Sequence, residues 1–252
     1  SSGTFLEECL QPADYGLDFY AAQTMETSDG RRILIGWLAT WACNWFTPED
    51  GFSGMMTIPR ELTLKEVPVL PGEKVLESSI ELNGKGADGK RYVVCQKPVR
   101  ELERYYTNPV EIRGKILSDT CETFDVLKGR VQNLELSLTG EKGALFELHF
   151  AAKGDTHTRL SYDFDRRELV YDRRNQGMTR DCENIRVVKV PGEGYRLDLQ
   201  ILLDLYSAEI FARGGEIVLT NVLRSPLDCE EVRLFANGMV QADILKHDIC
   251  VK

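Results

Sequence analysis

Histidine is scarce in this chain of 252 residues: only His149, His157 and His247 are present, and none stands at metal-ligand spacing from a cysteine or another histidine. That argues against a zinc site or any other histidine-built metal centre. Cys-x-x-Cys pairs are missing too. The seven cysteines, at positions 9, 43, 95, 121, 182, 229 and 250, are scattered and odd in number. They read as free thiols in a reducing, cytoplasmic setting rather than as a disulfide scaffold. No apolar run is long enough to span a bilayer, and Ser1-Ser2-Gly3 reads as a cut end, not as part of a signal peptide. No basic run offsets the net charge of -9, which disfavours nucleic acid and anionic membrane as partners. The Gly-rich run Asn83-Gly84-Lys85-Gly86-Ala87-Asp88-Gly89 does not follow a strand and open a helix, so it is no nucleotide loop, and Ser207 lacks a Gly-x-Ser-x-Gly context. No cofactor and no metal are expected. With 42% hydrophobic and 28% charged residues, the balance is that of a globular protein with a substantial core.

What the chain does carry is concentrated between residues 14 and 62. Three patterns follow one another there: Asp14-Tyr15-Gly16-Leu17-Asp18-Phe19-Tyr20-Ala21-Ala22-Gln23-Thr24, Arg31-Arg32-Ile33-Leu34-Ile35-Gly36-Trp37, and Gly54-Met55-Met56-Thr57-Ile58-Pro59-Arg60-Glu61-Leu62. Each reads as a short strand ending on Gly, Trp or Pro, with Asp29-Gly30 as a tight turn between the first two. Antiparallel strands joined in this way read as one blade of a propeller. From Val110 onward the alternation has period two with frequent turn signals, as in an antiparallel sandwich. Leu134-Glu135-Leu136-Ser137-Leu138 and Leu145-Phe146-Glu147-Leu148-His149-Phe150 flank Gly140-Glu141-Lys142-Gly143 and predict one hairpin. A second is predicted around Arg166-Arg167, and Gly214-Gly215 is a further turn. Between the two halves, residues 98–106 predict a short helix with Pro98 in its first turn, Val99, Leu102 and Tyr106 on one face, and Asn108-Pro109 as its stop. The expected division is therefore 1–97, a linker at 98–106, and 107–252.

The order of the three early patterns resembles glycoside hydrolase family 32, the invertases, levanases, inulinases and sucrose-6-phosphate hydrolases. The resemblance continues through Gln96-Lys97-Pro98-Val99-Arg100-Glu101-Leu102 and into Leu203-Asp204-Leu205-Tyr206-Ser207-Ala208-Glu209-Ile210-Phe211. It implies an all-β fold: the last blade or blades of a five-bladed β-propeller, a short helical link, and a C-terminal β-sandwich. It also implies retaining hydrolysis of sucrose, sucrose 6-phosphate or fructans, with an Asp nucleophile and a Glu acid. The family sets those residues upstream, in Asn-Asp-Pro-Asn, Arg-Asp-Pro and Glu-Cys-Pro contexts. Neither Asn-Asp-Pro nor Arg-Asp-Pro occurs here, and Glu8-Cys9 is followed by Leu10. No catalytic residue is therefore assigned, Glu8 being read as a look-alike, and the expectation is the C-terminal part of a β-fructosidase that is inactive alone. Its expected partners are a sugar and either further copies of itself or the N-terminal part of the same enzyme. The alternative is a carbohydrate-binding or oligomerisation module without turnover.

By the same resemblance, Asp14 and Trp37 match positions at the fructose pocket and are the candidate substrate-binding residues. A carboxylate accepts hydrogen bonds from sugar hydroxyls, and an indole offers an apolar face with one N–H donor. The residues alone leave a second reading open for each, an Asx-turn cap before Gly16 for Asp14 and a core aromatic for Trp37. Asp14 and Asp18 cannot form the carboxylate pair of a retaining glycosidase on a straight strand, since four residues span about 13 Å against the 5 to 5.5 Å required. Residues 38–53, rich in aromatics, read either as a sugar-stacking rim or as a hydrophobic plug. Arg60 is expected to be structural, bonded to carboxylates or carbonyls between strands. Asp163 and Asp165 are assigned to solvent by the alternation around them, and Asp204, Ser207 and Glu209 to the support of a turn and strand.

Overall fold

The computed structural model describes residues 11–43, 45–46, 48–68, 90–192 and 194–251. Glu8 and the run at 83–89 lie outside the described residues. Strand is the dominant element, and the helical pieces are single 3-10 turns or little more. The first sheet contains β1 (Tyr20–Glu26), β2 (Arg32–Leu38), β3 (Met55–Met56), β4 (Arg60–Pro68) and β5 (Lys90–Pro98). These run antiparallel in the order β1-β2-β4-β5, with β3 also pairing β2. The predicted turn at Asp29-Gly30 joins β1 to β2, with Gly30 N donating to Thr27 O at 2.9 Å.

Among the described residues the second sheet has ten strands. They are β6 (Tyr106–Thr123), β7 (Gln132–Gly140), β8 (Leu145–Lys153), β9 (Thr156–Asp163), β10 (Glu168–Asp172), β11 (Ile185–Lys189), β12 (Arg196–Leu203), β13 (Ser207–Ala212), β14 (Ile217–Val222) and β15 (Glu231–Ile249). The order is β11-β10-β9-β8-β15-β7-β12-β13-β14, with β6 along the other side of β15. Leu148, Leu160 and Leu169 from one end of this sheet share a single core with Leu199, Ile210 and Leu219 from the other. The sheet is therefore curled, so that its two ends enclose the same apolar interior.

Burial explains the local patterns. β12 alternates Arg196, Asp198 and Gln200 outward with Leu197, Leu199 and Ile201 inward, as period two requires. β13 and β14 are buried on both faces. One face belongs to the main core through Ile210 and Leu219, and the other packs Phe211 and Val218 against Leu102 and Ile58, and Val222 against Leu38, Trp45 and Phe46. The first sheet thus closes over the outer face of β13 and β14.

Three expectations need correction. The β7 and β8 segments do not form a hairpin: β15, from the far end of the chain, pairs with β8 along 231–237 and with β7 along 240–248, both on the edge opposite β6. The predicted helix at 98–106 is a 3-10 helix, Arg100–Tyr105, because Pro98 is the last residue of β5 and Val99 is extended at the N-cap. Asn108-Pro109 does not stop it; both residues lie inside β6 at the register shift between Lys246 and Asp248 of β15, and a bulge tolerates a proline. Nor is the run 14–24 one strand, since β1 begins at Tyr20. The hairpin around Arg166-Arg167 is present, with Asp163 opposite Glu168, and Asp163 caps its turn by accepting from the N–H groups of Asp165 and Arg166. The link is held by Arg31, which donates to Glu101 at 2.6 and 3.1 Å, keeping that carboxyl down at about 2.

Gly215 in the β13–β14 turn sits where β5 crosses closest. Its φ is 95° and an added Cβ would stand 1.9 Å from the carbonyl oxygen of Gln96. Gly214 has φ of 66° with open space around it. Gly214→Ala is expected to cost about 1 kcal/mol from backbone strain alone. Gly215→Ala should cost that plus about 1–3 kcal/mol for forcing the sheets apart. Urea unfolding of the two variants checks this, and equal losses would contradict the close approach.

Candidate functional site

Residues 14–18 lie along β14, the outer strand of the ten-stranded sheet. Tyr15 N donates to Val218 O at 2.8 Å and Asp18 N to Thr220 O at 3.0 Å. The two aspartates complete the edge, as Asp14 Oδ1 accepts from Thr220 N at 2.9 Å and Asp18 Oδ2 from Val222 N at 2.7 Å. Side-chain carboxylates here take the place of strand carbonyls and leave those edge donors satisfied. Gly16 allows the approach, since a Cβ would lie 2.2 Å from the backbone of Thr220.

Arg60, at the start of β4, is fully buried beneath this segment. Its Nη1 donates to Asp14 Oδ2 at 3.0 Å and Gln96 Oε1 at 3.1 Å, and its Nε and Nη2 reach Glu209 Oε2 at 3.1 and 2.5 Å. Nη2 also bonds the Thr220 hydroxyl, which donates onward to Asp14 Oδ2 at 2.6 Å. The rings of Phe19 and Phe211 each lie 5.4 Å from the guanidinium carbon. Glu209 accepts in addition from Ile58 N at 2.7 Å. A second buried pair lies nearby, where Arg173 binds Asp18 through Nη1 and Nη2 with the Trp45 ring 4.4 Å from its guanidinium.

Burial disfavours charge throughout this cluster, and the balance differs by residue. For Arg60 it is outweighed by the fields of Glu209 and Asp14, which hold the guanidinium above its usual value. For Glu209 burial prevails over the pull of Arg60 and, with Asp14 adding to it, raises the carboxyl above the usual range. One cation thus serves two enclosed carboxylates.

These contacts locate both candidate residues. The Asp14 side chain has no exposed surface, and its two oxygens take four hydrogen bonds, including the Asx-turn bond from Gly16 N at 2.7 Å. Trp37 is elsewhere, half-buried on β2. It stands directly opposite Tyr20 of β1 on one side and Met56 of β3 on the other, so the three share a face. Trp41 completes the group, with ring centroids 5.2 Å from Trp37 and 6.1 Å from Tyr20. Tyr20 is 48% exposed, Met56 60% and Trp41 76%. The aromatic loop divides accordingly: Trp45 and Phe46 are a buried plug, whereas Trp41 stands out as a rim.

Asp14 and Trp37 are not brought together. What the sequence reading missed are the partners, since Glu209 and Thr220 are 149 and 160 residues from Arg60. A signal for Glu209 was present: it is the lone charged residue in the otherwise uncharged Ser207–Ala212 strand, where burial demands a counter-charge.

The geometry defines an all-β protein with a charged lock buried between two sheets and an exposed aromatic row on the smaller one. Its sequence matches the description "Glycosyl hydrolases family 32 C terminal" over residues 101–249 and "Glycosyl hydrolases family 32 N-terminal domain" over residues 2–73. The chain belongs to glycosyl hydrolase family 32. A raffinose invertase of Escherichia coli is 27% identical over 238 residues, covering 92% of this chain and 42% of the relative. A sucrose-6-phosphate hydrolase of Zymomonas mobilis is 31% identical over 209 residues, covering 81% and 35%. The chain thus spans about two-fifths of the length of these relatives. Among solved structures, the exo-inulinase from Aspergillus awamori superimposes with a TM-score of 0.75 at 22% identity, over 94% of this chain and 44% of that one. The sucrose-6-phosphate hydrolase from Lactobacillus gasseri gives 0.72 at 19%, over 94% and 42%. At these identities the likeness is one of fold.

Arg60→Met leaves two carboxylates buried without their cation and is expected to lower the unfolding free energy by about 3–5 kcal/mol. Without Arg60 the folded state holds protons more tightly than the unfolded chain, so the loss should grow as pH rises through the carboxylate range. Denaturant titrations across that range check both, and a pH-independent loss would contradict the assignment.

Proposed function

We propose that this chain is the C-terminal part of a retaining β-fructofuranosidase that hydrolyses sucrose, sucrose 6-phosphate or fructans. In this reading the five-stranded sheet is the last blade of a five-bladed propeller and the curled sheet is the C-terminal sandwich. The division is at 1–97, 98–106 and 107–252. Leu64 and Val94, opposite each other on β4 and β5, together with Tyr92 expose apolar surface of the kind a neighbouring blade covers.

The observation that carries the functional reading is the aromatic row of Tyr20, Trp37 and Trp41. The exposed rings of Tyr20 and Trp41, with the half-buried ring of Trp37, match the C–H face of a sugar ring, and indole N–H and phenol O–H groups are donors for its hydroxyls. We assign Trp37 and Trp41 to substrate contact. Asp14 acts one step removed, by fixing the segment from which β1 and Tyr20 emerge. Bond cleavage, by an Asp nucleophile and a Glu acid, is assigned to residues outside the motifs of this chain.

Fructose release from sucrose, sucrose 6-phosphate and a short fructan tests the reading, with the 252-residue chain measured beside a protein extended upstream through the carboxylate motifs. Release is expected only from the extended protein, and sugar binding without turnover in both would favour the binding-module alternative. In the extended protein, Trp41→Ala should raise KM roughly two- to tenfold, the equivalent of about 0.5–1.5 kcal/mol of stacking. An unchanged KM would remove Trp41 from the site.

A further inference from the structure

Trp41 is displayed by a four-residue turn that Cys43 closes. Cys43 N donates to Thr40 O at 3.4 Å, and Ala42 N donates to the Thr40 hydroxyl at 3.3 Å. The Cys43 side chain is buried in a small apolar cluster with Leu38, Trp45, Phe46 and Val222. Against that cluster pack Met178 and Cys182, from the connection between β10 and β11. The two cysteines therefore meet at the seam, one from the first sheet's loop and one from the second sheet's.

Both side chains pack in the same cluster, and burial, reinforced by Cys182, pushes Cys43 up to about 12. In the reduced protein Cys43 is thus a neutral, enclosed thiol. Cys182 is half-buried, and it is the member of the pair that a reagent from solution reaches first. Its backbone is anchored: Cys182 N donates to Arg180 O at 2.9 Å, and its carbonyl accepts from Asn184 Nδ2 at 2.7 Å. Of the other described cysteines, Cys95 and Cys229 are buried and Cys121 and Cys250 are exposed, and none shares an apolar cluster with a second cysteine.

We propose that Cys43 and Cys182 form a dithiol–disulfide switch that fastens the turn bearing Trp41 to the ten-stranded sheet. The oxidant is a small-molecule disulfide. The Cys182 thiolate attacks one of its sulfurs, the S–S bond breaks, and one thiol leaves with a proton. The Cys43 thiolate then attacks the Cys182 sulfur of the mixed disulfide and releases the second thiol. Two electrons and two protons pass to the oxidant, which ends as two thiols, and a dithiol reductant reverses the exchange. The crosslink joins residues on opposite sides of the seam and leaves the turn less freedom to move Trp41. Its consequence for sugar affinity, though not its formation, rests on the assignment of Trp41 to substrate contact.

The test equilibrates the protein carrying this sequence in glutathione buffers of graded redox poise, followed by acid quench and peptide mapping without reduction. The expected product is a Cys43–Cys182 linked peptide lighter by two hydrogens, absent from Cys182→Ser and from Cys43→Ala. Glutathione adducts on Cys182 without the linked peptide would overturn the switch, as would crosslinks running through Cys121 or Cys250. Fructan affinity is then compared between the oxidised and reduced protein. A shift of several-fold in wild type that disappears in Cys182→Ser supports the coupling to Trp41. A linked peptide with unchanged affinity would leave the switch standing and overturn the assignment of Trp41 instead.

Discussion

The buried guanidinium of Arg60 ties the two sheets of this chain together. A charge taken wholly out of water is tolerated only where partners replace its hydration, and Arg60 finds them on both sides of the seam. Gln96 belongs to the first sheet, Glu209 and Thr220 to the second, and Asp14 to the segment that lies between them. Apart from the bond between Arg60 and Gln96, the contacts of the guanidinium run from the first sheet to the second or to the segment between them. The cluster therefore specifies how the sheets sit against each other more sharply than the apolar contacts around it, which Phe211, Val218 and Leu102 would retain under small displacements. Arg173 and Asp18 repeat the device a few residues further along the same edge.

The aromatic row inherits its position from that lock. β1 is an edge strand, largely exposed, and Tyr20 at its start follows directly on the pinned residues 14–18. Trp37 is at the other end of the same cross-strand pairing, and Trp41 leans on both rings. Rigid support from behind and exposure in front suit a surface that must present flat apolar faces to a ligand of fixed shape. The buried Trp45 and Phe46 hold the base of the loop whose tip carries Trp41.

How far the sequence was legible depended on range. The turn at Asp29-Gly30, the hairpin around Arg166-Arg167 and the alternation of β12 were readable because turn chemistry and period two act over a few residues. The false hairpin of β7 and β8 had the same local signs, but β15 wins the pairing from the far end of the chain, and no local pattern carries that information. Asp14 was misleading for a related reason. A carboxylate beside Gly16 looks the same in sequence whether it meets a sugar or a buried arginine, and only the fold brings Arg60 and Thr220 to it. Arg60 itself could be read as structural from its place between strands, while the identity of its partners could not. The family resemblance compensated for part of this, since its motifs span the seam that local rules cannot see.

The most direct test of this account is a double-mutant cycle between Arg60→Met and Glu209→Gln, with unfolding followed by denaturant. The lock predicts strong coupling: the glutamine change should be nearly neutral alone, should recover much of the loss caused by the arginine change, and should yield an interaction energy of about 2–3 kcal/mol. Additive effects, with an interaction energy near zero, would mean that the two sheets are held together by apolar contact alone and that the buried charges do not set their docking.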